Sequence, residues 1–221
     1  MKHSTPQTQA LLYCLRREDL DIRVEQDEAT RWLTINGQRQ SQMLLASPEK
    51  AIYPYIQQIC RELQRHPHQH ILQIGLGAGE INRCILSSFQ DTQLTTLEKE
   101  AIIAELYQRF FQLPSSKSRD QLVIGELAHV QFAWFDAVIL DIYPWPTEVD
   151  ELLAQLLTKL KPQGSLFINL TEPGRSEELE NWCWRHFTNL QILSYIGYKN
   201  QLFICWERSD VTEKTEPLLT L

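Results

Sequence analysis

The residues of this chain best suited to chemistry stand at the ends of short apolar segments. Gly75-Leu76-Gly77-Ala78-Gly79 directly follows the apolar run Ile71-Leu72-Gln73-Ile74 and precedes an apolar helical pattern. Glycines in that setting let the backbone turn sharply and approach a ligand near a helix N-terminus, which suits a nucleoside. The spacing is not the dinucleotide GxGxxG, because residue 80 is Glu, and a glutamate there would oppose a pyrophosphate. An uncharged or cationic ligand centre fits better, with a tight turn and no ligand as the alternative. Glu98 closes the segment Gln93–Leu97, where a carboxylate can accept both hydroxyls of an adenosine ribose. The other reading is a solvated charge within Glu98-Lys99-Glu100. Glu126 follows Gly125 after Gln121–Ile124 and either accepts from an adenine amino group or simply opens a loop. Asp141 closes Phe135–Leu140, at the edge where ligands bind in open α/β sheets; it can orient or deprotonate an amine nucleophile, or cap a loop. The Tyr143-Pro144-Trp145-Pro146 segment after it is either a pocket wall or surface packing.

The elements that must hold these residues follow from periodicity. Leu20 to Ile35 alternates as two arms, with Ile22 and Val24 on one and Trp32 and Thr34 on the other, and reads as a β-hairpin closed by Asn36-Gly37. Residues 1–10 read as loose. Apolar residues from Ile52 to Leu63 predict a helix over Glu49–Leu63, with Ser47 as N-cap and Pro48 in the first turn. Strands are expected at 71–74, 93–97, 121–124, 135–140 and 165–170, with a turn over 161–164. Helices are expected at 81–89, 101–111, 149–160 and 177–187. The alternation predicts an α/β fold with a parallel sheet and helices on both faces. Two last strands, 190–196 and 201–206, are joined too briefly for a crossover and must be antiparallel. The expected division is an N-terminal extension and hairpin over 1–47, an α/β domain over 48–208 and a flexible tail over 209–221.

Composition narrows the function classes. The 221 residues carry a formal net charge of −7, which speaks against nonspecific nucleic-acid binding, since that needs a basic footprint. No apolar run reaches membrane-span length and the polar start has no signal-peptide core, so a cytoplasmic protein without a membrane partner is expected. The odd, dispersed set Cys14, Cys60, Cys84, Cys183 and Cys205 reads as reduced core thiols. His66, His68 and His70 alternate in a short connector with no accompanying ligand set, so no metal is assigned. Trp182-Cys183-Trp184 reads as core and rim packing.

Taken in order, these blocks resemble the spermidine synthase family (polyamine aminopropyltransferases), a branch of the class I S-adenosylmethionine-dependent methyltransferase fold. Leu33-Thr34-Ile35-Asn36-Gly37-Gln38-Arg39-Gln40-Ser41 resembles the family's "LDGxxQ" segment, with Gln40 matching its glutamine. Tyr53 stands at the family's usual distance before the first strand. Ile71 to Gly79 resembles "VLxIGGGDG", Leu97-Glu98 resembles "VEID", Val123 to Glu126 resembles "VxxGDG", and Phe135 to Asp141 resembles "YDVIIVD". The resemblance covers roughly residues 20 to 170, and the combined order is more specific than any block alone.

The resemblance implies a Rossmann-like, mostly parallel seven-stranded sheet. It implies a cofactor site of Gln40, Gly75, Gly77, Gly79, Glu98 and Glu126, with Glu98 on the ribose, Glu126 on the adenine and Asp141 on the attacking amine. The implied donors are S-adenosylmethionine or its decarboxylated form, leaving S-adenosylhomocysteine or methylthioadenosine. The implied partner is a small-molecule acceptor, an amine in the family. Relatives commonly pair as dimers, and the hairpin offers an edge for a homodimer. Ala78 stands where the family has an aspartate that pairs with the donor's amine, and Pro144 where it has a second acceptor-side aspartate. Pro54 and Tyr55 replace an acidic pair, and Glu80 is a substitute for the missing charge beside the glycines. Three function classes stay open: a transferase of aminopropyl groups, a small-molecule methyltransferase, and a non-catalytic descendant that binds a nucleoside or a protein.

Overall fold

The computed structural model describes residues 9–209 apart from 19, 114, 116, 131–133 and 147–148. The expectations for most of the loose start and for the tail beyond Ser209 lie outside the described residues. The chain divides into two compact units, residues 1–131 and 132–221.

The first unit opens with an antiparallel sheet of β1 (Ala10–Arg17), β2 (Leu20–Gln26), β3 (Thr30–Ile35) and β4 (Gln38–Leu44), in sequence order. The expected hairpin is present as β2–β3, and β1 and β4 extend it to a four-stranded antiparallel meander. Asn36-Gly37 joins β3 to β4 rather than β2 to β3, and both residues have positive φ, as a tight hairpin turn requires. Asp27 forms the turn between β2 and β3, accepting from the N–H groups of Ala29 (2.8 Å) and Thr30 (2.7 Å). The register of β3 against β4 shifts between Leu33 and Thr34, which pair with Ser41 and Arg39, so Gln40 sits in a bulge.

Helix α1 runs from Pro54 to Leu63, not from Glu49. Pro54 occupies its first turn, where a missing N–H is harmless. The N–H groups of Ile52 and Tyr53, which an earlier helix start would have used, donate instead to the Glu80 carboxylate at 2.5 and 2.9 Å. Then β5 (His70–Ile74), α2 (Glu80–Ser88), β6 (Gln93–Glu98), α3 (Ala101–Phe110) and β7 (Asp120–Ile124) alternate as expected, and the three strands pair in parallel as β5-β6-β7. Ile22, Val24, Leu33 and Met43 of the small sheet share one apolar cluster with Leu76, Ala78, Leu106, Tyr107 and Phe111. That burial is the main term holding β1–β4 against the glycine loop and α3.

The second unit contains β8 (Phe135–Leu140), α4 (Val149–Lys159), β9 (Leu160–Leu170), α5 (Ser176–His186), β10 (Phe187–Ser194) and β11 (Gln201–Arg208). β8 and β9 are parallel, while β11 is antiparallel to both β9 and β10, as the short last connection demanded. The expected turn at 161–164 is a bulge inside β9: Phe135 pairs with Leu160, but Ala137 pairs with Ser165. Lys161 Nζ is 2.5 Å from Asp136 Oδ1 there. A side chain at Gly164 would meet the Asp136 carbonyl at 2.9 Å, so the bulge requires glycine. The seven strands of the mostly parallel sheet take the order β10-β11-β9-β8-β5-β6-β7.

The cysteines depart from the expected set of reduced core thiols. Cys60 of α1 and Cys84 of α2 are paired as a disulfide, with Cα atoms 6.9 Å apart. Cys183 and Cys205 are buried thiols in hydrogen-bond contact, and that contact together with burial pushes the Cys205 thiol up; Cys14 is exposed. Trp182 and Cys183 are buried and Trp184 is exposed, the expected core and rim.

The tightest constraint in the first unit is Arg83 on α2, 1% exposed. Its guanidinium donates to the carbonyls of Pro48 (2.8 Å), Gln42 (2.9 Å) and Ala78. Burial lowers its pKa to about 10, opposed by the charge of Glu80. Replacing Arg83 with Met would remove a donor from each of three carbonyls and leave Glu80 without its cation. We expect urea denaturation to show a loss of about 3–5 kcal/mol.

Candidate functional site

The site is built from the ends of β5, β6 and β7. The Gly75 N–H donates to the Leu97 carbonyl at 2.9 Å, and the Gly125 N–H to the Glu98 carbonyl at 2.9 Å, so the three strand ends are laced together. Between Gly75 and Gly79 the chain makes a compact turn, closed by Gly79 N–H to Leu76 O at 2.9 Å. Gly75, Gly77 and Gly79 all have left-handed φ, at 89°, 54° and 67°.

At Gly79 the reason for glycine differs from the expected one. A side chain there would overlap the ring of Tyr107 on α3. Gly79 is required by packing within the protein, whereas Gly77 has only Ser41 of β4 within reach, at an ordinary 3.5 Å. The Ser41 contact places Gln40 of the bulge next to the residue that touches the loop. Its own amide nitrogen is 3.5 Å from the Gln38 carbonyl.

Glu98 lies at the centre of this arrangement, buried at the end of β6. Its Oε2 accepts the Leu76 N–H of the glycine loop at 3.0 Å, and its Oε1 accepts the Glu100 N–H at 2.9 Å. Burial raises its pKa above the ordinary carboxylate value, opposed by the backbone N–H groups of Glu100, Leu76 and Lys99. A carboxylate has about four acceptor sites, so three main-chain donors leave capacity for one hydroxyl of a ribose. The alternative of a solvated charge does not describe this residue.

Glu126 is exposed and opens a 3-10 turn over Leu127–His129. Its N–H donates to His129 Nδ1 at 2.9 Å, and its carbonyl accepts the His129 N–H at 2.9 Å. The imidazole lies against Gly125, where a side chain would meet Nδ1 at 2.6 Å. His129 is a residue that sequence reasoning did not single out. The available signal was a glycine–acid pair followed by a histidine at capping distance.

One expected role, that of Glu80, is changed. Ala78 has no exposed surface and belongs to the apolar cluster with Leu76 and Tyr107. Glu80 does not substitute for the acid missing at that position. It is 3% exposed and its Oε1 holds the N–H groups of Ile52 and Tyr53. Burial raises its pKa, opposed by those two N–H bonds and by Arg83. His68 likewise has a local partner, with Nδ1 3.2 Å from the Leu63 carbonyl.

Asp141 belongs to the second unit, just past β8. Its Oδ1 accepts the Asn169 side-chain amide at 2.7 Å, and Asn169 Oδ1 accepts the Asn200 side-chain amide at 3.0 Å. Of the aromatic–proline segment, Trp145 is buried, Tyr143 is exposed, and the Pro146 carbonyl accepts Arg175 Nη1 at 2.9 Å. Among the described residues no helix is long and apolar enough to cross a membrane, and no group of His, Cys, Asp and Glu is arranged to hold a metal.

No protein-family model and no curated protein sequence matches the chain. Solved structures do. A probable spermidine synthase from Corynebacterium glutamicum superposes with a TM-score of 0.75 at 18% identity, covering 88% of this chain and 79% of its own. Spermidine synthase from Thermotoga maritima gives 0.69 at 15% identity, covering 89% and 72%. The O-methyltransferase TomG from Streptomyces achromogenes, in complex with S-adenosylmethionine, gives 0.57 at 14% identity, covering 72% and 82%. The fold is the Rossmann-like α/β fold that spermidine synthases share with S-adenosylmethionine-dependent methyltransferases.

The raised pKa of Glu80 sets a pH dependence. With its folded pKa above its unfolded value, the folded state binds the proton more tightly. The resulting stability is fully present below the ordinary value of 4.5 and is lost as pH rises through the folded pKa. Stepped-pH urea denaturation should show this decline, and Glu80→Gln should make it shallower while Glu98 sustains the remainder.

Proposed function

We propose that the protein is a spermidine synthase-like transferase that binds S-adenosylmethionine, its decarboxylated form or a related adenosyl thioether, and passes a group to a small-molecule amine. The observation that carries this reading is the buried Glu98 carboxylate bonded to the Leu76 N–H of the glycine loop. It presents an acceptor for a ribose hydroxyl at a strand end, beside a backbone that turns through left-handed glycines. Gln40 and Glu126 complete the nucleoside side in this proposal, and Asp141 serves the amine.

A sulfonium donor supplies an electrophilic carbon: the nitrogen lone pair forms the N–C bond while the C–S pair stays on sulfur as a neutral thioether. Asp141 accepts an N–H of the incoming amine, aims its lone pair, and gives the surplus proton a path to water. Glu98 fixes the nucleoside without taking part in proton transfer.

Methyl transfer is a second reading with its own support. Ala78 is enclosed in apolar surroundings and Glu80 is engaged with main-chain N–H groups. Neither supplies the carboxylate that would hold the amine of an aminopropyl donor.

Calorimetry with S-adenosylmethionine, decarboxylated S-adenosylmethionine and methylthioadenosine tests the proposal. We expect binding, with Glu98→Ala weakening methylthioadenosine by about tenfold or more, the scale of a hydrogen bond to a charged group. Unchanged affinity in that variant removes Glu98 from the ribose. Preference for S-adenosylmethionine assigns methyl transfer, and no binding of any of the three leaves a non-catalytic descendant.

A further inference from the structure

The Glu98 carboxylate is already committed to the protein's own backbone. Its Oε2 accepts the Leu76 N–H at 3.0 Å, its Oε1 accepts the Glu100 N–H at 2.9 Å, and the Lys99 N–H is a third main-chain donor to it. These bonds belong to the fold. Leu76 lies in the turn between β5 and α2, and Glu100 is the N-cap of α3. A nucleoside hydroxyl that displaced either N–H would leave a main-chain donor unpaired, at a cost comparable to the bond it gained. The three bonds therefore persist when a ligand is bound.

An ionised carboxylate offers about four acceptor positions, so one is left for a ligand. A ribose carries two neighbouring hydroxyls, and each O–H needs a lone pair of its own. Glu98 cannot serve both while it holds three N–H groups. It also keeps only 9% of its surface exposed, which limits approach further. The nearest other acid in the chain, Glu100, is exposed, where water competes with any hydroxyl for its carboxylate. Lys99 is donor-only and accepts neither hydroxyl.

We propose that this site reads one ribose hydroxyl and not both, so that it takes a deoxyribose form of an adenosyl ligand as tightly as the ribose form when the missing hydroxyl is the one Glu98 does not hold. This rests on the reading above in taking Glu98 as the ribose acceptor. Glu98 is then a specificity-determining residue of narrow scope. It requires a hydroxyl at one ribose carbon and is indifferent to the other.

The test is calorimetric titration of the full chain with methylthioadenosine and with its 2′-deoxy and 3′-deoxy analogues. We expect one analogue to bind about tenfold or more weaker, the scale of a hydrogen bond to a charged group, and the other to bind within about twofold of methylthioadenosine. In Glu98→Ala, which removes the acceptor, that penalty should vanish, with all three ligands binding within about twofold of one another. The wild-type series decides the inference by itself if Glu98→Ala does not fold. Both analogues weakened about tenfold, neither analogue weakened, or a penalty that survives in Glu98→Ala overturns the inference. No binding of methylthioadenosine to the wild-type chain overturns the adenosyl-ligand reading itself, and the inference falls with it; that control tells the two failures apart.

Discussion

The first unit depends on one buried guanidinium. Arg83 reaches from the first turns of α2 to three carbonyls: Ala78 in the glycine loop, Gln42 on β4 and Pro48 before α1. These carbonyls come from three separate segments. One planar group with five donors does what three separate side chains would otherwise have to do. Glu80, one helical turn earlier, completes the arrangement by taking the N–H groups of Ile52 and Tyr53, which delays α1 until Pro54. Arg83 and Glu80 thus tie the glycine loop to β4 and to the segment before α1.

Packing explains why β4 passes over that loop. Ser41 is small enough for its Cβ to sit 3.5 Å from the position a Gly77 side chain would take, and the bulge at Gln40 lets β4 bend toward it. On the other flank, the Tyr107 ring occupies the space beside Gly79, and its hydroxyl donates to Asp120 at 2.5 Å. Asp120 also accepts from Asn82 and Gln112, at 3.0 Å each. A carboxylate at the start of β7 therefore fixes an aromatic ring that in turn demands glycine in the loop. The chain of causes runs from a buried polar network to the backbone geometry of the candidate site.

Much of this was legible in the sequence, for identifiable reasons. The βαβ alternation showed because buried parallel strands are short apolar runs and the helices between them are amphipathic. Glu98 stood out because an acid closing an apolar strand has few structural explanations. The small sheet was harder to read. β1 carries Arg16 and Arg17 with little alternation, and the Asn36-Gly37 turn was matched to the wrong pair of strands because the β2–β3 turn at Asp27 contains no glycine. The start of α1 was misplaced because Ser47-Pro48 is a good local helix opening, and the competitor for its N–H groups, Glu80, is distant in sequence. Arg83 left no local signal at all. An arginine on an amphipathic helix is ordinarily solvated, and only the three carbonyls converging on it make it central. The same holds for Asn169, whose role depends on a partner on another strand end.

The two units use carboxylates in opposite ways. Asp120 receives side-chain donors from Asn82, Tyr107 and Gln112 and is enclosed as a structural anchor. Asp141 receives the end of a chain running from Asn200 through Asn169, all of whose amide dipoles point toward it. A dipole chain aimed at a carboxylate stabilises its ionised form and holds one oxygen in place. Asp120 is therefore fixed from several sides by groups of α2, α3 and the segment after α3, whereas Asp141 Oδ1 is oriented by one directed amide pair, Asn169 and Asn200.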